Sequence, residues 1–172
     1  SLTVDADDDT SELLAVGAGI TNVVSLVLSA GATQDGSHDD TIDINDDLTT
    51  TAGDLTVQNA GEVLIDASGV RTLTAAGSIN MDTVTDNVQQ ITLDDGGSTV
   101  ALDANSEGDV WLADVRADQT PLATGASLTV AADGSATLAA VELDGTGTDG
   151  TLIVRVDDNT GSAEALTLNG SV

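Results

Sequence analysis

Aliphatic and polar residues alternate along this chain in short runs, such as Leu2-Thr3-Val4, Thr41-Ile42-Asp43-Ile44, Val63-Leu64-Ile65-Asp66, Thr99-Val100-Ala101-Leu102 and Leu152-Ile153-Val154-Arg155-Val156. Each run meets Asp, Asn, Gly or Ser within a few residues, the signature of a short strand closed by a turn. The 18 Gly, with abundant Thr and Asp, disfavour helix nearly everywhere. A single proline, Pro121, leaves the backbone free to form ladders.

The runs also repeat. A tripeptide of aliphatic, Thr and aliphatic or Ala starts at Leu2, Leu55, Leu73, Ile91, Leu128 and Leu166. From Leu55 the starts follow at 18 and 18 residues, then Val110 at 19 and Leu128 at 18. Most intervals hold a second apolar run, for example Val63–Ile65 and Val100–Leu102. This periodicity predicts an all-β chain folded as a parallel β-helix, or β-solenoid, with coils of 18–19 residues. Equivalent inward side chains would then stack at intervals of about 4.8 Å, and roughly nine coils would make a rod of about 43 Å. The Thr of each tripeptide should face outward, where β-branching suits a strand, and Gly, Asn and Asp should take the corners. The competing arrangement is an antiparallel β-sandwich, which has similar turn spacing but no reason to repeat one tripeptide.

Composition narrows the picture. The 172 residues carry 30 acids and three cations, Arg71, Arg116 and Arg155, for a net charge of −27, with no lysine. Such a polyanion is repelled by nucleic acid and by anionic lipid, whose binding needs Lys and Arg, so neither is an expected partner. Its natural counter-charges are divalent cations or basic partners. Without Cys there are no disulfides, thiolate nucleophiles or Cys-ligated metals. The 19 Leu, 18 Val and 7 Ile supply a core, so the chain is expected to fold, as a single domain over 1–172. Trp111 is the only aromatic residue, so that core must be a thin stack of aliphatics.

Segments such as Leu2–Thr10 (LTVDADDDT), Ala52–Asp66 (AGDLTVQNAGEVLID) and Leu73–Asn80 (LTAAGSIN) resemble the passenger regions of filamentous-haemagglutinin-like and autotransporter-type bacterial adhesins. The resemblance is one of style over most of the chain rather than a signature motif. It implies a right-handed parallel β-helix in a secreted or surface-displayed protein, and it carries over no catalytic residues.

Leu13 to Ala32 runs 20 positions without a charge, nominally the length of a membrane span. Its Gly17, Gly19, Thr21, Asn22, Ser25, Ser29 and Gly31 point instead to buried solenoid strands at Leu13–Val16 and Val23–Leu28, so no membrane insertion is expected. No charged leader with a cleavage site opens the sequence, so any targeting signal is expected elsewhere. Leu2–Val4 and Leu166–Gly170 both read as ordinary coil rather than polar cap. Open solenoid ends invite further strands, so the expected neighbours are flanking solenoid segments or a second copy stacked end to end.

The sharpest candidate for chemistry is Asp103 to Asp114. Oxygen donors at Asp103, Asn105, Glu107 and Asp109, Gly108 at the sixth position and Asp114 at the twelfth match a calcium loop of the EF-hand and dockerin type. The match departs at Asp114, where a bidentate Glu is usual, and in the missing flanking helices. Ca2+ is thus the one candidate cofactor. Asp144 to Gly150 resembles half of a calcium-binding β-roll repeat, but no second copy follows. His38, the only histidine, sits between Ser37 and Asp39 in a local cluster that lacks the convergent geometry of a catalytic triad. Carboxylate pairs for glycoside hydrolysis cannot be singled out among so many acids. Trp111 is expected to line the core or a groove, and the arginines to pair with neighbouring acids.

The sequence therefore predicts a non-enzymatic extracellular structural protein of the bacterial cell surface, the stalk of an adhesin or a self-stacking filament subunit, with carbohydrate or a host surface as further candidate partners. A carbohydrate-active β-helix enzyme or binding module, and a calcium-dependent β-roll, are the alternatives.

Overall fold

A computed structural model of the chain describes residues 1–6, 13–30, 40–66, 69–86, 88–94, 100–117, 126–143, 149–156 and 164–172. Among these residues there are nineteen strands, no helix, and only parallel pairings. The strands fall into three sheets that the chain visits in strict rotation. The first sheet holds β1 (Leu2–Asp5), β4 (Leu26–Ser29), β7 (Leu55–Gln58), β10 (Ile79–Met81), β13 (Val110–Leu112), β16 (Ala136–Leu138) and β19 (Leu166–Leu168). The second holds β2 (Leu13–Val16), β5 (Thr41–Ile44), β8 (Ala60–Asp66), β11 (Val88–Asp94), β14 (Asp114–Ala117) and β17 (Val141–Glu142). The third holds β3 (Ile20–Val23), β6 (Leu48–Thr50), β9 (Gly69–Ala75), β12 (Val100–Ser106), β15 (Ser127–Ala132) and β18 (Thr151–Val156). Each set of three consecutive strands makes one coil, and the whole is a β-solenoid, as the repeat predicts.

The coil is longer than the 18–19 residues read from the sequence. Leu2, Leu26, Leu55, Ile79, Val110, Ala136 and Leu166 stand in one register column of the first sheet, so a coil takes 24–31 residues, 27 on average. The repeated tripeptides sit on different faces. Leu55 is on the first sheet, Leu73 on the third, Ile91 on the second, Val110 on the first and Leu128 on the third. An 18-residue step therefore advances two faces of three, and the underlying unit is about nine residues per face. The ladder correspondingly holds six steps from β1 to β19, which sets a height of about 29 Å rather than 43 Å.

The interior is built by stacking. On the first sheet Leu26, Leu55, Ile79, Val110 and Ala136 form one buried column, and Leu28, Val57, Met81, Leu112 and Leu138 form its neighbour. The second sheet adds Ile42, Val63, Ile91, Val115 and Val141. With strands about 4.8 Å apart, successive aliphatic side chains in each column lie in direct contact and close the interior. Among the tripeptide threonines, Thr56, Thr74 and Thr129 are more exposed than both neighbours, as expected, whereas Thr92 is buried and donates its hydroxyl to Glu62. The uncharged stretch from Leu13 holds three strands rather than two: Leu13–Val16 is strand but mostly not buried, and a corner at Val24-Ser25 divides the expected Val23–Leu28 between β3 and the buried β4; among the described residues no helix is long and apolar enough to cross a membrane.

The two ends differ from the middle in one respect. Leu166 and Leu168 continue the first-sheet columns, yet they are 48% and 44% exposed where Leu26 and Leu28 are fully buried. At the opposite edge Leu2, Val4, Leu14 and Ile20 are only partly covered.

Candidate functional site

The corner leading from the third sheet to the first is the most regular part of the molecule. Before β7, β10, β13 and β16 it reads Gly53-Asp54, Gly77-Ser78, Gly108-Asp109 and Gly134-Ser135. The glycines form a ladder: Gly77 N–H donates to the Gly53 carbonyl (3.1 Å), Gly108 to Gly77 (3.0 Å) and Gly134 to Gly108 (2.9 Å). A Cβ on Gly77 would fall against the Asp54 carboxylate and 2.8 Å from the Gly53 carbonyl carbon, so no larger residue fits the stack. The residues after the glycines form a second ladder. Asp54 Oδ1 accepts the Ser78 amide (2.8 Å), Ser78 Oγ accepts the Asp109 amide (3.2 Å), Asp109 Oδ1 accepts the Ser135 amide (2.6 Å) and Ser135 Oγ accepts the Ala165 amide (3.3 Å). Each side chain thus binds the coil that follows it. Inside the corner, the hydroxyls of Thr50 and Ser106 donate to the carbonyls of Gly53 and Gly77, each at 2.5 Å.

This corner decides where the expected calcium ligands stand. Asp103 and Asn105 lie on the outer side of β12, two residues apart, where an extended strand separates neighbours by about 6.6 Å. Glu107 and Asp109 belong to the corner, and Asp114 begins β14 on another face. Asp109 is engaged with Ser135, while Asp114 accepts the Ala140 amide (3.0 Å) and pairs with Arg116 (3.6 Å). The five residues are therefore spread over strand, corner and strand rather than wrapped into one loop. Among the described residues no group of three or more His, Cys, Asp or Glu side chains is placed to hold a metal ion. His38 and Asp144–148 lie outside the described residues. Of the arginines, Arg116 has the expected acidic partner, whereas Arg71 donates Nη1 to the Val70 carbonyl (3.2 Å).

A second site was not legible as such. The corner from the first sheet to the second takes one residue at Asn59, between β7 and β8, and one at Ala113, between β13 and β14. Between β10 and β11 it expands into a loop from Asp82. Asp82 Oδ1 accepts the amides of Val84 (2.7 Å), Thr85 (2.5 Å) and Asp86 (3.3 Å), and Oδ2 accepts the Thr85 hydroxyl (2.6 Å). The Asp86 carbonyl accepts the amide of Asn59, which turns at a positive φ of 54°. The loop is thereby rigid in itself and docked on the coil below. Burial alone would raise the Asp82 carboxyl, but the donors from Thr85, Val84 and Asp86 outweigh it and hold Asp82 below the ordinary carboxylate value. Asp86 is shifted the other way: burial pushes it up and the Asp82 charge adds to this, against the hydrogen bond from the Asp82 amide.

Beside this loop stands Trp111, half-buried on the outer side of β13 with Asn80 as its register neighbour on β10. Asn80, Asp82, Val84, Thr85, Asp86 and Trp111 line a groove of about 490 Å3. Trp111 lines a groove, one of the two places the sequence allowed it. Sequence patterning pointed to no loop here, because Asp82–Asp86 differs from other acidic corners only in length.

Comparison with protein-family models, with curated protein sequences and with solved structures returns no match to this chain.

Proposed function

We propose that this chain is a non-enzymatic structural element displayed outside a bacterial cell, the stalk of a surface adhesin or a filament subunit. The observation that carries the reading is the unbroken rotation of strands through three parallel sheets, with apolar columns running to both edges. Such a body transmits load through backbone ladders along its whole length, and each coil is stabilised by its neighbours. Its exposed end strands supply hydrogen-bonding edges to which flanking coils or another copy can add. The net charge of −27 supports a role as a solvated coat that keeps neighbouring rods apart at low salt and lets divalent cations draw them together. The style resemblance to adhesin passengers supports the location.

Pulling the chain by its two ends in a single-molecule trap tests the mechanical role. A stiff element that yields coil by coil at high load is the expected result, and one soft cooperative collapse at low load overturns it. Electron microscopy of the same protein with and without calcium then separates the two forms: filaments of constant width mark a stacking subunit, and dispersed single particles mark a stalk segment.

A further inference from the structure

Two departures from the adjoining coils coincide here. The first-to-second corner expands at Asp82–Asp86, between the single-residue corners at Asn59 and Ala113. On the neighbouring coil the outward column, which reads Thr56 and Asn80 below and Thr137 above, carries Trp111. Neither exception fills the core. Trp111 faces away from the core, and the loop satisfies its own backbone through Asp82 while presenting Val84 at 86% exposure. Together they enclose the groove, whose volume of about 490 Å3 falls within the roughly 300–1,000 Å3 of small-ligand clefts.

We infer that the groove between Trp111 and the Asp82–Asp86 loop binds a single organic cation, the lysine or arginine side chain of a basic partner. The indole supplies an aromatic face, which attracts ammonium and guanidinium groups. Two carboxylates, Asp82 and Asp86, share the lining, and no cationic side chain does. The Asp82 oxygens are committed to the loop, so Asp86 is the carboxylate with acceptor capacity to spare: among the described residues its one donor is the Asp82 amide at 3.3 Å. Asn80 Nδ2 is held by Thr56 Oγ1 (3.3 Å), which fixes the groove floor. The surrounding charge of −27 draws cations toward the surface, and the groove gives one of them a shaped seat. The stem of a long basic side chain would lie along Val84 and the indole.

Because Trp111 is the only aromatic residue, its fluorescence reports on this groove alone. The full chain is titrated with the capped tripeptide Gly-Lys-Gly, with its neutral counterpart Gly-Gln-Gly and with maltose. A saturable change with the lysine peptide, at about tenfold lower concentration than the glutamine peptide, is expected from a desolvated cation on an indole. Asp86→Asn should weaken it by up to about fivefold, as for loss of one exposed ion pair, whereas Asp103→Asn, an equal loss of charge on another face, should leave it unchanged. Trp111→Leu, followed through the peptide's own NMR shifts, should abolish the interaction and covers the case in which Asp86→Asn disturbs the loop. Equal response to both peptides, equal weakening by Asp103→Asn, or no response at all overturns the proposal. A response to maltose in place of the lysine peptide also overturns it and identifies a sugar platform.

Discussion

The third-to-first and first-to-second corners use the same residue type in opposite ways. At the first, Asp54 and Asp109 aim their carboxylates at amides of the next coil, Ser78 and Ser135. At the second, Asp82 turns its carboxylate back on amides of its own loop, Val84 and Thr85. The consequence is visible in length. A corner whose side chains stabilise the following coil must keep step with it, and the Gly-Asp or Gly-Ser unit recurs in four consecutive coils. The first-to-second corner repeats no such unit: it contracts to Asn59 or Ala113 and lengthens at Asp82 into a loop that satisfies much of its own backbone. Across these middle coils the regular glycine ladder thus runs along one edge of the solenoid, and the variation that creates the groove lies along another.

The strongest way to break this contrast is to change one residue to alanine at each edge. Gly77→Ala places a carbon 2.8 Å from the Gly53 carbonyl carbon, and the ladder has backbone on both sides. Overpacking of this kind should cost about 3 kcal/mol, read as a lower denaturation midpoint. Val84→Ala on the exposed loop should stay within about 0.5 kcal/mol. Comparable losses at the two positions would dissolve the distinction. Next in size is the acidic ladder. Asp109→Ala removes an acceptor 2.6 Å from the Ser135 amide and should cost about 1.5 kcal/mol. Asp109→Ser should recover most of that loss, because Ser78 and Ser135 already do the same work in the same column. A serine as damaging as alanine would mean that charge, not hydrogen bonding, orders this edge.

The same contrast explains what the sequence discloses. Solenoid class, aliphatic core and outward threonines follow from alternation, which is local and period two. Coil length does not, because the faces are themselves near-repeats of about nine residues, and a tripeptide search finds Leu55, Leu73 and Ile91 on three different faces. The true marker of a coil is the Gly-Asp or Gly-Ser pair before Leu55, Ile79, Val110 and Ala136. Its spacing from Gly53 to Gly134 is 24, 31 and 26 residues, because the corners in between differ in length, so it follows no fixed period. The Gly108-Asp109 pair at the centre of the Asp103 to Asp114 stretch is one rung of the glycine ladder. The groove is less legible still, since Trp111 and Asp82 are 29 positions apart in sequence and are brought together only by the coil register.

A smaller effect tests whether the variable corner is energetically its own unit. Asp82→Ala deletes the loop's internal acceptor, and a hydrogen bond of this kind contributes about 1 kcal/mol. Hydrogen exchange should accelerate at the amides of Val84 and Thr85 while those of Gly77 and Gly108 keep their protection. Acceleration at the glycines would show the two corners to be coupled through the coil.

The smallest effect is in pH dependence, and it sharpens the contrast because Asp82 and Asp86 oppose each other within one loop. Asp82 has its folded-state pKa lowered from 3.8, so its contribution is present above the ordinary carboxylate range and is lost as pH falls through the lowered value. Asp86 has its folded-state pKa raised from 3.8, so the folded loop holds that proton more tightly than the unfolded chain. Its ionisation therefore costs stability as pH rises through 3.8 toward the raised value. In the native loop the two slopes partly cancel. Asp86→Asn removes the opposing slope and a like charge together, so local stability should climb more steeply with pH over about pH 2–5 than in the native protein. Hydrogen exchange at Val84 and Thr85 across that range, corrected for intrinsic rates, reads the difference directly. A flatter profile in Asp86→Asn would mean that Asp82 depends on its neighbour's charge and that the loop does not hold its shape alone.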